Sequence, residues 1–195
     1  MNRGVNRQDI FFDDTDRQHF VELAAEYKAR FGVKVYHWVL MSNHYHLLIE
    51  AAYSNLRPFV GGLQQVYAQY HHARHQSSGV FWQGRFKSKP VEIGDYLVKG
   101  GRYIERNPVR AGMADAAWDY RWSSARFYVQ GEPDGLTDFN SHLGEMTDRD
   151  RRSYGEILIS GAEDNWVLNC QKHRVIGSNE FASRLRIEQG RSRLK

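Results

Sequence analysis

The stretch SNHYHLLIE, residues 42–50, sets His44 and His46 two positions apart and runs directly into Leu47-Leu48-Ile49. An apolar-rich run of this length suits a strand, and residues i and i+2 of a strand point to the same face. The stretch therefore predicts two imidazoles side by side on one face of a half-buried strand. Two histidines there are either hydrogen-bonded strand residues or a pair of metal ligands, because imidazole suits Zn, Mn, Co, Ni and Fe.

The flanking sequence predicts the architecture around this strand. Val33 to Met41 is rich in β-branched and aromatic residues and reads as a strand, and Ser42-Asn43 is a turn signal, so residues 33–51 read as an antiparallel hairpin. Upstream, Arg3 to Phe12 reads as a strand or strand end. Asp13 to Asp16 supplies helix-capping residues, and Phe20, Val21, Leu23, Ala24, Tyr27 and Phe31 recur at helical spacing before Gly32, a C-cap residue. Downstream, a second helix is predicted from about Asn55 to His75, ended by Ser77-Ser78-Gly79. VFWQGRFKSKPVE (80–92) reads as two short strands around Gln83-Gly84. Asp95 caps a third helix running to about Asn107, where Pro108 discourages continuation. Hairpins mixed with crossover helices specify an α+β class, with helices packed on a central antiparallel sheet. The GEPDG stretch, 131–135, reads as a linker. It divides residues 1–130 from a C-terminal extension, 131–195, whose tail carries Arg184, Arg186, Arg191, Arg193 and Lys195 against Glu188.

Composition narrows the partners. The chain has 195 residues, 41% hydrophobic and 26% charged, with a net charge of +4. That charge permits a nucleic-acid partner without requiring one. No apolar run approaches the length of a membrane span, and no secretory leader is evident. The single cysteine, Cys170, rules out an intrachain disulfide and a cysteine-based zinc site, and suits a reducing cytosol. Any metal must take its further ligands from His, Asp, Glu, Asn or Gln.

Two further stretches carry candidate chemistry. In DYLVKGGRYIERNPVRAGM, residues 95–113, Tyr96, Tyr103 and Asn107 fall near one helix face. Tyr96 reads as a core residue. Tyr103 and Asn107, one turn apart, are placed to offer a nucleophile and a metal ligand, with Arg102, Arg106 and Arg110 supplying charge for phosphates. Gly100-Gly101 is unusual, since each glycine costs a helix interior about 1 kcal/mol relative to alanine. A close approach by another backbone, a hinge, or a packing need would account for it. In GRFKSKP, residues 84–90, Arg85, Lys87 and Lys89 alternate with other residues and would share one strand face. That face is either a basic stripe for a phosphate backbone or simply solvated.

Together these stretches resemble a family. SNHYHLLIE resembles the His-hydrophobic-His signature of the HUH single-strand nucleases, and RYIERNPVRAGM the tyrosine motif of the small tyrosine transposases. With NRGVNRQDIFFDDTD, GVFWQGRFKSKPVE and WSSARFY, the ordered set is similar to the REP-associated tyrosine transposases over residues 2–128. The resemblance implies a ferredoxin-like core within a catalytic domain of residues 1–130. It implies a divalent ion, Mg²⁺ or Mn²⁺, held by His44, His46 and Asn107, and a nucleophile at Tyr103 rather than Tyr96. The implied reaction cuts single-stranded DNA to a 5′-phosphotyrosine and a free 3′-OH, and joins strands in reverse. Hairpin-forming DNA repeats are the implied substrate, contacted by Arg3, Arg85, Lys87, Lys89, Arg102, Arg106 and Arg110. The enzyme would be a cytoplasmic monomer or dimer that needs neither a membrane nor a small-molecule cofactor. A hairpin-binding protein of the same fold that does not cut, and a hydrolase using water, are the alternatives. The chain begins inside what the resemblance makes the first strand, and SNEFASRL (178–185) resembles an element of longer members.

Overall fold

The computed structural model describes residues 1–140, 144–160 and 174–192, the last of these from residue 186 by backbone alone. Among them the chain forms strands β1 (Asn2–Arg3), β2 (Lys34–Leu40) and β3 (His44–Glu50). The helices are α1 (Asp14–Phe31), α2 (Tyr53–Arg74), α3 (Asp95–Glu105), α4 (Asn107–Arg110), α5 (Ala125–Gln130), α6 (Asp148–Ser160) and α7 (Asn179–Ser192). The three strands make one antiparallel sheet in the order β1-β3-β2. This is the α+β class that the alternation of elements predicts.

The hairpin forms where the sequence places it, with Leu40 opposite Tyr45 and Val39 opposite His46. Tyr45 is fully buried and packs on Phe20 of α1, with ring centroids 4.9 Å apart. That face holds the larger core, where Phe11, Phe20, Trp38, Phe59, Leu63 and Tyr67 join α1 and α2 to the sheet. The other face is smaller: Val39, Met41 and Leu48 meet Leu97 and Ile104 of α3. Strict alternation would leave Val35 and His37 on the same face. A bulge between them sets Val35 opposite Ile49 but His37 opposite Leu48, which turns His37 toward α3.

α1 is capped as its sequence specifies. The Asp13 side chain accepts the Asp16 N–H, and Gly32 ends the helix in the left-handed conformation at φ 60°. Three other expectations are corrected. The first strand stops at Arg3. A β-carbon on Gly4 would lie 2.4 Å from the Gln8 carbonyl oxygen, so only glycine lets the chain turn there. Asn6 and Arg7 follow at positive φ. Ile10 and Phe11 remain core residues but cross the hairpin turn, both N–H groups bonding the Ser42 carbonyl. Residues 80–92 do not pair with each other as two strands. They run along β1 instead, through Val5 N–H to Phe81 O, Gln83 N–H to Arg3 O and Lys87 N–H to Met1 O. The buried Asn2 amide fixes that edge by donating to Gly84 O and Gln64 Oε1. On the opposite edge Leu40 N–H bonds Trp122 O and Ser124 N–H bonds Trp38 O, which extends the sheet past β2. Finally, Pro108 does not end the helical path but sits in the first turn of α4, where its missing N–H costs nothing.

Beyond 131, several of the described residues are laced to this core. Leu136 is fully buried, the Asp138 carboxylate accepts from Val35 N–H at 2.8 Å, and Asp134 accepts from the Trp38 indole at 3.0 Å. α6 sends the Tyr154 hydroxyl to Glu105 at 2.7 Å. Arg184 lies exposed, 4.0 Å from Glu92. The side chains of Arg186 and Arg191, and residues Arg193 and Lys195, lie outside the described residues.

Candidate active site on the α3 face of the sheet

His44 and His46 point to the α3 face, with ring centroids 5.2 Å apart. His44 Nδ1 lies 2.7 Å from the Asn43 amide oxygen. An amide oxygen only accepts, so Nδ1 carries the proton and Nε2 keeps its lone pair. Burial, helped by the charge of Arg3, pushes His44 down to about 4. Burial, with nearby positive charge that includes His44, Arg110 and Arg3, holds His46 well below the ordinary imidazole range. Both rings are therefore neutral at physiological pH, the form that binds a cation.

Tyr103 comes to the same place from α3. Its ring stands edge-on to His46 with centroids 5.9 Å apart. Arg110, from α4, lies 4.2 Å over the Tyr103 ring and donates to the Tyr103 carbonyl at 2.9 Å. Asn107 turns its amide nitrogen back onto the end of α3, donating to Tyr103 O at 3.0 Å and Ile104 O at 3.1 Å. Those bonds leave to its amide oxygen, the atom with lone pairs, any role toward a cation. Arg3 is paired with His44 across β1 and β3. The structure thus gathers His44, His46, Tyr103, Arg3 and Arg110, while Asn107 lies one turn past Tyr103 at the start of α4. Arg102 and Arg106 are half-buried, and the charge of Arg102 acts on the buried Tyr154. Arg85 and Lys87 lie exposed along the β1 edge, and Lys89 is half-buried, so the predicted strand-face stripe is an irregular edge instead. Tyr96 does not enter the core either: it is half-buried, with Lys99 5.9 Å over its ring.

A buried polar cluster that the sequence did not reveal braces α3. Glu105, fully buried, accepts from Ser124 at 2.6 Å and Tyr154 at 2.7 Å, and lies 2.8 Å from His37 Nδ1. The cluster also explains half of the glycine pair. A β-carbon on Gly101 would fall 2.5 Å from the His37 ring, whereas one on Gly100 would meet only Leu48 at 3.8 Å. The close approach at Gly101 is made by a side chain, so of the explanations open from sequence it is the packing need, not an approaching backbone, that holds there.

A second group of potential ligands lies on the opposite layer. Asp16 of α1 and His71 and His75 of α2 bring one donor atom each within 4.8 Å of one another. The i, i+4 histidines were legible in YHHARH, but Asp16, more than fifty residues earlier, carries no local signal.

No curated protein sequence matches the chain. Among the described residues no helix is long and apolar enough to cross a membrane. The fold is similar to the solved structure of a REP-associated tyrosine transposase bound to a REP hairpin, with a TM-score of 0.53 at 19% identity, covering 75% of this chain and 88% of that one. The IS200-like transposase family model matches residues 1–107, a span that takes in β1, the histidine strand, Tyr103 and Asn107. The chain belongs to the IS200-like transposases, a family of DNA-processing enzymes.

Proposed function

We propose that the protein is a metal-dependent single-strand DNA endonuclease and strand transferase that works on hairpin-forming repeats through a 5′-phosphotyrosine at Tyr103. The observation that carries this reading is the edge-on placement of the Tyr103 ring against His46, on the face that also holds His44. The donor set fits a divalent ion: two neutral imidazoles, one with its tautomer fixed by Asn43, and an amide oxygen on Asn107. So few protein ligands leave positions open, and an ion such as Mg²⁺ or Mn²⁺ held there supplies Lewis acidity toward a phosphate oxygen.

The chain's own residues do the rest. The Tyr103 oxygen forms a bond to phosphorus as the phosphorus–O3′ bond breaks; the phenol gives up one proton and the departing 3′-oxygen takes one up. The covalent ester stores the bond energy, so joining runs as the reverse reaction without a nucleotide cofactor. Arg110 and Arg3 set positive charge on either side of the tyrosine and histidine pair, where a phosphodiester has to lie. Arg85 and Lys87, exposed along the β1 edge, continue that charge toward a DNA strand. The hairpin held by the structurally similar transposase supports a hairpin substrate for this one.

Incubation with single-stranded oligonucleotides bearing hairpins, in Mg²⁺ or Mn²⁺, should yield a slower-migrating protein–DNA adduct that survives denaturation. Retained hairpin affinity with no adduct under either metal would favour the second reading, a hairpin-binding protein that does not cut, which the exposed basic edge alone would serve.

A further inference from the structure

The start of α1 and the end of α2 meet on the sheet face opposite Tyr103, and the residues there have no part in the proposed cleavage. His71 is 3% exposed, yet neither ring nitrogen has a hydrogen-bond partner. A buried polar group left unpaired costs about 1–3 kcal/mol, so such a side chain calls for a ligand. His75 lies one turn further along α2, its ring centroid 4.4 Å from that of His71. Asp16, fully buried, faces both from α1.

We propose that Asp16, His71 and His75 form a second cation site, of the nitrogen-rich kind that takes Zn²⁺ or Co²⁺. One carboxylate and two imidazoles are a donor set that suits these ions better than Mg²⁺. The surroundings orient it. Phe12 N–H donates to the Asp16 carboxylate at 2.8 Å, and Arg74 pairs with Asp16 and with Asp13. Two carboxylates against one guanidinium leave a negative charge for the cation. Phe81 closes the inner side of His71, centroids 4.6 Å apart. Phe12, 59% exposed, lies over both imidazoles at 4.9 and 4.5 Å and walls the outer side. His75 Nε2 lies 3.0 Å from both Asp16 oxygens. Coordination replaces that contact, with the His75 proton held on Nδ1 instead. The site staples α1 to α2 just before the chain turns into the segment that carries Arg85 and Lys87 along β1.

Binding is measured by Zn²⁺ calorimetry and by the visible bands of Co²⁺ in three backgrounds: wild type, His44→Ala/His46→Ala, and the latter with His75→Gln or His71→Leu. The double variant should keep one equivalent, with Co²⁺ bands of a nitrogen-rich site and a Tm raised by Zn²⁺. Adding either α2 substitution should weaken it at least tenfold and abolish the Tm shift. His75 is near the surface, so His75→Gln decides the matter even where His71→Leu disturbs packing. A double variant that binds no cation, or α2 substitutions that leave affinity unchanged, would overturn the site. Neither result depends on whether Tyr103 cuts DNA.

Discussion

The two faces of the sheet are built on different principles although they share the same strands. Along β3, Tyr45, Leu47 and Ile49 face α1 and α2 in a core dominated by aromatic and branched side chains. His44, His46 and Leu48 face α3, where a small apolar cluster is interrupted by imidazoles, a carboxylate and a phenol. The first face buries most of the apolar area and holds the molecule together. The second gives up apolar contact so that polar groups can be held in place: Ser124, Tyr154 and His37 Nδ1 all meet Glu105, while the buried His37 Nε2 has no partner. A one-residue bulge at β2 adds His37, and with it the Glu105 brace, to the second face.

The contrast yields predictions that differ by face. The largest stability effect belongs to the aromatic side: Phe20→Ala, at a fully buried ring, should cost about 3–5 kcal/mol in urea unfolding. Its cleavage rate per folded molecule should stay unchanged. On the other face Glu105→Gln keeps an acceptor but brings an amide donor among three existing donors. It should cost about 1–3 kcal/mol and, by loosening α3, lower cleavage as well. Equal loss of cleavage per folded molecule for Phe20→Ala and Glu105→Gln would erase the distinction.

The glycine pair sharpens it within one helix turn. Gly101→Ala must displace the His37 ring and should destabilise by about 1–3 kcal/mol. Gly100→Ala meets only ordinary contact and should stabilise by up to about 1 kcal/mol. Thermal unfolding of the two variants should therefore move in opposite directions.

The smallest effect is a pH dependence. His44, lowered to about 4 by burial, binds its proton in the unfolded chain near pH 6.5 but in the folded chain only near 4. Between those values the unfolded state holds more protons, so stability falls as pH drops through the window and is fully present above it. His46 and His71, the latter also near 4, act in the same sense. His44→Asn should flatten part of the slope of metal-free stability against pH; an unchanged slope would mean that the ring is not held neutral.

Much of this was legible in the sequence because it is local. The hairpin, the Asp13 and Gly32 caps of α1, and the shared face of His44 and His46 follow from spacing and turn chemistry. Nearness of Tyr103 to the histidines came from the resemblance and is a tertiary fact, since α3 reaches β3 from more than fifty residues away. What stayed hidden depends on partners distant in the chain. Gly4 and the positive φ of Asn6 and Arg7 cut β1 short, and residues 80–92 found a better edge in β1 than in each other. Glu105 carries no local signal of its burial, because Ser124, Tyr154 and His37 close around it from distant parts of the chain.

The proposed function requires that Tyr103, on the histidine face, be the residue that becomes joined to DNA. Tryptic digestion of the denatured adduct, followed by mass spectrometry, tests it most directly, because cleavage after Arg102 and Arg106 isolates YIER, residues 103–106, from the peptide carrying Tyr96. A 5′-phosphonucleotide mass is expected on YIER, lost in Tyr103→Phe and kept in Tyr96→Phe. The same mass on the Tyr96 peptide, or an adduct that persists in Tyr103→Phe, would contradict it.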